Sequence, residues 1–161
     1  MRQVLHDCED RVVEANKKLD EMGYAMGCRL VEDFLAKTNA QKCASFKESA
    51  ETAALVGFKM FLNLECSLEN WNDDETQCDV RFEHLDVFTA FVEVPARYRG
   101  ENAKLAYCQV LCGAARGALE SVGVRTECHF VKDALVGDPS EGFVMRLKFL
   151  ENVEDEYPFE D

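Results

Sequence analysis

The first quarter of the chain carries an apolar stripe that constrains everything after it. Leu5, Cys8, Val12, Ala15, Leu19, Met22 and Met26 recur at steps of three and four, and Leu30, Phe34 and Leu35 extend the same greasy face. This spacing predicts a long helix, or two helices in sequence, from Met1 to about Thr38. Thr38-Asn39 ends the run. Such a length exceeds what the core of a 161-residue chain needs. The stripe therefore either faces the chain's own core or pairs with a helix of another molecule. Gly23 and Gly27 lie four apart inside it. They lower helix propensity and would let another backbone approach closely.

A second helix is expected from about Phe46 to Leu62. Ser45 and Glu48 have the spacing of a reciprocal N-cap. Phe46, Ala50, Ala53, Ala54, Gly57, Phe58, Phe61 and Leu62 form its buried side, and four of these are tiny. Small side chains either draw a neighbouring helix in tightly or leave a groove for a ligand. Close packing is the commoner outcome. Leu64 to Gln77 reads as an irregular connection, with Trp71 as its packed anchor.

Strands are expected at Cys78–Glu83 and Phe88–Val94, joined through His84-Leu85-Asp86 and closed by Pro95. A third helix follows from about Asn102 to Val122, with Leu105, Cys108, Leu111, Cys112, Ala115, Leu119 and Val122 on its apolar side. Gly113 to Ala118 is again rich in small residues, and Gly123 is a natural stop. The end of the chain alternates. Val124, Thr126, Cys128 and Phe130 oppose Arg125, Glu127 and His129, and Phe143, Met145, Leu147 and Phe149 oppose Val144, Arg146 and Lys148. A helical turn is expected over Lys132–Val136, then a turn over Gly137–Gly142. Helices packed on a four-stranded antiparallel sheet make this an α+β domain, expected to span residues 1–161 as a single unit.

Charge and motif content narrow the function. The formal net charge of −13 would repel a phosphate backbone, so no nucleic-acid role is expected. Asp73-Asp74-Glu75 and the tail from Glu151 to Asp161 concentrate the acidity, as solvated loops and ends do. Eight cysteines show no zinc spacing and no CxxC pair, so no metal is expected, and their use as small hydrophobes fits a cytosolic protein. No run of 18 apolar residues and no signal peptide is evident, so any membrane association should be peripheral. A phosphate loop, HExxH and GxSxG are absent, and the three histidines are scattered. Independent catalysis is not expected.

Cys43 is the residue with the most suggestive chemistry. It precedes the start of the second helix and has Lys42 beside it, and both features favour a thiolate. A reactive thiol next to an apolar, small-residue helix suggests covalent attachment of something greasy. The plainer alternative is that Cys43 is one buried sulfur among eight cysteines.

Longer segments resemble a known family. They are Asn16-Lys-Lys-Leu-Asp-Glu-Met-Gly-Tyr24, Gly27-Cys-Arg-Leu-Val-Glu-Asp-Phe-Leu-Ala36, Phe58-Lys-Met-Phe61, Leu111-Cys-Gly-Ala-Ala-Arg-Gly-Ala-Leu-Glu120, Phe130-Val-Lys-Asp-Ala-Leu-Val-Gly-Asp138 and Met145-Arg-Leu147. Together they resemble the Bet-type subunits of the transport protein particle, TRAPP, over almost the whole chain. The resemblance implies a helix-rich domain with a four-stranded antiparallel sheet and a buried apolar tunnel. It implies a non-catalytic subunit of a tether for vesicles moving from the endoplasmic reticulum to the cis-Golgi, located in the cytoplasm at the periphery of those membranes. Paralogous subunits would be its partners, with a homodimer in isolation, and the assembled complex would promote nucleotide exchange on a Rab-type GTPase. Cys43 matches the position that carries S-linked palmitate, and Gly57 matches a small residue lining the tunnel. The alternatives are a free carrier of a lipid or small apolar ligand and a cysteine-dependent acyltransferase.

Overall fold

The computed structural model describes residues 2–39, 43–99 and 104–153. The stripe at the start forms one unbroken helix, α1 (Arg2–Thr38), of 37 residues. The region expected to be the second helix is continuous but not uniform. It runs as α2 (Phe46–Glu51), a π-helical stretch (Thr52–Gly57) and α3 (Phe58–Leu62). Ser45 caps it, its hydroxyl accepting from the Glu48 N–H at 3.2 Å, while the Glu48 carboxylate accepts from the Ala44 N–H at 2.7 Å. Asn63 ends it in the left-handed region, φ 53°.

The sheet has four strands in the order β1-β2-β4-β3, all antiparallel: β1 (Cys66–Glu69), β2 (Gln77–Phe82), β3 (Val124–Asp133) and β4 (Phe143–Asn152). The two C-terminal strands lie where the alternation places them. Val124, Thr126 and Cys128 are buried, whereas Arg125, Glu127 and His129 are exposed. The first strand pair differs from the sequence reading. Its leading strand lies at Cys66–Glu69, inside the segment read as irregular, and pairs with β2 across the Trp71–Thr76 turn. Phe88–Val94 is not a strand. It contributes to a short helix, α4 (Asp86–Thr89), and a turn, and Phe91 stands fully exposed. All four β1 side chains are half-buried, with no alternation, so only pairing identifies the strand. The helical turn expected at Lys132–Val136 is a turn that begins after β3 ends at Asp133.

The last helix, α5 (Gln109–Ser121), is shorter than expected. Residues 104–107 are not helical, and Asn102 lies outside the described residues. Gly123 follows with φ +88°, donating its N–H to the Glu120 carbonyl, which is the stop the sequence implied. Leu111, Cys112, Ala115 and Leu119 join the core that also holds Cys78, Val80, Cys128, Met145 and Leu147 of the sheet.

The other side of α5 takes α1 at backbone distance. A methyl group at Gly23 would overlap the Val110 carbonyl oxygen, and one at Gly27 the Ala114 carbonyl oxygen. The relation is reciprocal: Gly113 and Gly117 lie against the Asp20 and Tyr24 backbones. Polar contacts fix the crossing. Asp20 accepts from Gln109 at 2.9 Å and pairs with Arg116, whose guanidinium lies 4.6 Å from the Tyr24 ring centre. Asn16 accepts from the Ala106 N–H and donates to the Lys104 carbonyl, both at 2.8 Å. Half of the question posed by the stripe is thereby answered. Val12 is buried, whereas Met22 and Met26 remain 58% and 46% exposed.

Candidate functional site

Between α1, the Cys43–Leu62 segment, α5 and the end of β4 lies a cavity of about 870 Å³. α1 contributes Leu30, Val31 and Phe34, and α5 contributes Ala114, Ala118 and Val122. The helical segment after Cys43 contributes Thr52, Ala53, Gly57 and Phe61. Most of this wall is apolar. On one side the exposed residues Ala44, Ser45, Asp74 and Glu75 also line it, so the cavity reaches the surface there.

Both residues singled out from the sequence, Cys43 and Gly57, line this one cavity. Cys43 is half-buried in the turn before α2, and its Sγ lies 3.8 Å from the Thr52 hydroxyl. Lys42, the neighbour invoked from the sequence, lies outside the described residues. A methyl group at Gly57 would meet the Thr52 carbonyl oxygen at 3.9 Å, an ordinary contact, with open space otherwise. Gly57 is therefore not a close-packing glycine like Gly23. The small residues of this helical segment divide between the two outcomes weighed from the sequence. Ala50 and Ala54 are fully buried in the core, whereas Ala53 and Gly57 face the cavity.

The π-helical stretch explains how this division arises. The Phe58 N–H donates to the Ala53 carbonyl five residues back. In an α-helix, residues five apart point about 140° away from each other. In the π-register that divergence narrows, and Thr52 and Gly57 both line the cavity. No sequence signal marked this stretch, and Thr52 was missed for that reason. The rim was also missed. Lys47 bridges to Glu75 at 2.7 Å and lies 5.6 Å from the Trp71 ring centre. The carboxylate of Glu75 holds the Lys47 ammonium above its ordinary value. Trp71 also packs edge-on against Phe46, centroids 6.1 Å apart, as an anchor for its loop.

Four of the other thiols are poor nucleophiles by environment. Burial pushes Cys66 and Cys78 up to about 12, and raises Cys108 and Cys112 well above the ordinary thiol value. A thiol so raised is protonated at neutral pH and attacks slowly. Among the described residues, no group of three His, Cys, Asp or Glu side chains could hold a metal ion. No helix among them is long and apolar enough to cross a membrane.

Residues 1–148 match the family model described as transport protein particle (TRAPP) component. The chain belongs to the TRAPP component family. It is 41% identical over 136 residues to trafficking protein particle complex subunit 3 of Dictyostelium discoideum, covering 84% of this chain and 70% of that protein. It is 42% identical over 142 residues to transport protein particle subunit bet3 of Schizosaccharomyces pombe, covering 88% and 75%. A trafficking protein particle complex subunit 3 from Naegleria fowleri, solved covalently bound to palmitic acid, superimposes with a TM-score of 0.81 at 36% identity, covering 96% of this chain and 90% of that one. The α+β architecture expected of a TRAPP subunit is the one observed.

Proposed function

We propose that this TRAPP subunit is a non-catalytic structural component of a vesicle-tethering complex acting between the endoplasmic reticulum and the Golgi, and that it carries an acyl chain, palmitate or one similar, on Cys43. The observation that carries the reading is the shared cavity. Cys43 and Gly57, chosen from the sequence, line one largely apolar space of about 870 Å³ in a chain whose structural relative was solved with palmitic acid attached. The residues present suit such a group. Leu30, Val31, Phe34, Phe61 and Val122 offer apolar wall, the Cys43 thiol offers the attachment atom, and open space beside Gly57 leaves room for a methylene chain. A bound acyl chain would fill the core with apolar volume, each buried CH₂ contributing about 0.8 kcal/mol.

In the cell its partners would be paralogous subunits, with a homodimer when it is isolated, and the assembled complex would serve a Rab-type GTPase at the cytoplasmic periphery of the Golgi and endoplasmic reticulum membranes. Support for pairing comes from apolar side chains left outside: Met22 and Met26 on α1, and Leu55, Val56 and Met60 on the π-helical stretch and α3. Exposed apolar surface of that kind marks interaction sites. Sedimentation equilibrium checks it, and a single species at monomer mass would refute pairing.

The main test is intact mass of protein from a eukaryotic host, with and without hydroxylamine. The reading expects one palmitoyl-sized increment, mapped to Cys43 and removed by hydroxylamine. A co-purifying fatty acid without a covalent increment would instead make the protein a carrier. Steady turnover of an acyl-thioester substrate by pure protein, lost in Cys43→Ala, would make it an acyltransferase.

A further inference from the structure

We infer that the inner end of the cavity sets the length of the hydrocarbon chain it takes, with Ala114 and Phe61 as the specificity-determining residues. This deepens the acylation reading and rests on it for its biological meaning. The two ends of the cavity differ. The helical segment from Phe46 to Leu62 runs along the sheet from one end to the other. Phe46 packs on Trp71 and Phe149 at the end where Gln77 pairs with Lys148. Phe58 packs on Phe82, centroids 5.2 Å apart, at the end where Phe82 pairs with Phe143. The first end carries charge and opens to the surface, with Lys47, Asp74 and Glu75 in its lining. Around the second, the lining is Gly27, Ala114, Gly57, Phe58, Phe61 and Leu62, none with a polar side-chain atom.

That inner end is also shut. Gly27 and Ala114 are both buried, and they lie where α1 and α5 touch, since a methyl at Gly27 would overlap the Ala114 carbonyl oxygen. One turn further along both helices, Leu30 and Phe34 of α1 and Ala118 and Val122 of α5 line the cavity between them. The α1–α5 crossing is therefore the wall against which anything entering from the open side must stop. A closed apolar end opposite a charged open one fits a single-chain amphiphile with its methyl end inward. Length can be worked along the same helical segment. The Cys43 sulfur is level with Thr52, 3.8 Å from its hydroxyl, and from Thr52 to Leu62 the backbone rises about 15 Å. An extended hydrocarbon chain advances roughly 1.25 Å per carbon, from a bond of ~1.5 Å at the tetrahedral angle. About twelve carbons reach the inner end on that basis. The last carbons of a sixteen-carbon chain must then pack against Ala114 and Phe61, whose bulk decides how many of them are buried.

The test has two arms, each on the full chain. The first uses the Cys43→Ser protein, which cannot be acylated there, and saturated straight-chain alcohols of twelve to twenty carbons, read by displacement of the neutral fluorescent probe N-phenyl-1-naphthylamine. Alcohols are used because the Asp74 and Glu75 carboxylates on the rim would repel a fatty carboxylate. Affinity should rise about fourfold per added carbon until the inner end is full, then level off. Ala114→Val, which fills the end, should move that plateau about two carbons shorter. Phe61→Ala, which opens it, should move the plateau at least two carbons longer. The second arm releases the acyl group with hydroxylamine from protein made in a eukaryotic host and weighs it, and the same two substitutions in the wild-type chain should shorten and lengthen it. Thermal melting checks that each variant is folded. If Ala114→Val fails that check, Phe61→Ala decides alone, because it adds no bulk. A plateau that Phe61→Ala leaves unmoved overturns the inference, and so does an affinity that shows no dependence on chain length. No acyl group on wild-type protein, with the plateaus still moving, would instead overturn the acylation reading and leave the length gauge standing.

Discussion

Replacing Gly57 by leucine separates an open cavity from a tight helix contact. A methyl at this position meets its nearest neighbour, the Thr52 carbonyl oxygen, at 3.9 Å. The first carbon of the new side chain therefore fits, and the remaining carbons enter the cavity of about 870 Å³. Leucine also has higher helix propensity than glycine, by up to about 1 kcal/mol. The unacylated protein should melt at the wild-type temperature or slightly above it. The acyl chain meets the opposite outcome. A leucine side chain displaces about four methylenes' worth of space, and at ~0.8 kcal/mol each that forfeits about 3 kcal/mol of tail burial. This converts to a loss of roughly a hundredfold in the tail's affinity for the cavity. Thermal melting of the unacylated form and intact mass of the same preparation are the paired assays. A contact between tightly packed helices would give the reverse, an overpacking cost of ~1–3 kcal/mol. At roughly 2–4 °C per kcal/mol, this would be a clear fall in melting temperature. That fall, with acylation unchanged, would refute the reasoning.

Three further outcomes follow from named contacts. Cys43→Ser should abolish the hydroxylamine-sensitive mass increment while leaving the fold intact, because a serine hydroxyl is a far weaker nucleophile near neutral pH; an increment that moved to another cysteine would contradict the assignment. Gly23→Ala places a methyl into the Val110 carbonyl oxygen, a backbone atom that cannot turn aside, so the α1–α5 crossing should lose about 3 kcal/mol or more. Its melting temperature should fall by roughly 6–12 °C; an unchanged melt would mean the helices do not cross there. Asp79 lies opposite Arg146 in the β2–β4 register and accepts from it at 2.8 and 3.1 Å. Burial works to raise the Asp79 carboxyl, but hydrogen bonds from Arg146 and Asn70 outweigh it and hold the group below the usual aspartate range. A lowered folded value means stability that is complete above the unfolded value and lost as pH falls through the folded one. Asp79→Asn should cost about 1–3 kcal/mol at neutral pH, with the gap to wild type closing in acid; chemical denaturation across pH checks it.

Legibility in the sequence followed the strength of each periodic signal. α1, β3, β4 and the stop at Gly123 each rest on a pattern that burial makes unavoidable, and each stands where that pattern placed it. β1 was hidden because its four residues are all half-buried and so show no alternation. Phe88–Val94 misled because its β-branched and aromatic residues suit a strand, yet Phe91 points to solvent and no neighbouring strand pairs with the segment. Gly23 and Gly27 announced a close backbone approach but not the partner. α5 supplies it through Gly113 and Gly117, a match visible only when both helices are placed together.

The candidate site was half legible for a related reason. Cys43 drew attention through its chemistry and its place before a cap, and Gly57 through its size and family position. Neither feature said that the two share a wall. In a regular helix counted from the Ser45 cap, Thr52 and Gly57 would diverge by about 140°. The observed backbone spends its i→i+5 hydrogen bonds in the six residues from Thr52 to Gly57, where they align both residues on the cavity while Ala54 turns to the core. π-helical turns are rare because they forgo better-packed α geometry, and they concentrate at functional sites. Here the gain is specific. One local change of register places a hydroxyl beside the thiol and an absent side chain beside open volume. It also leaves Leu55 and Val56 on the outside of the same stretch, 51% and 43% exposed. Cavity and outer apolar face are thus two sides of one irregular turn. A substitution that forces this stretch back to α-register should perturb acyl occupancy and pairing together, whereas Gly57→Leu, which leaves the register intact, should perturb acyl occupancy alone.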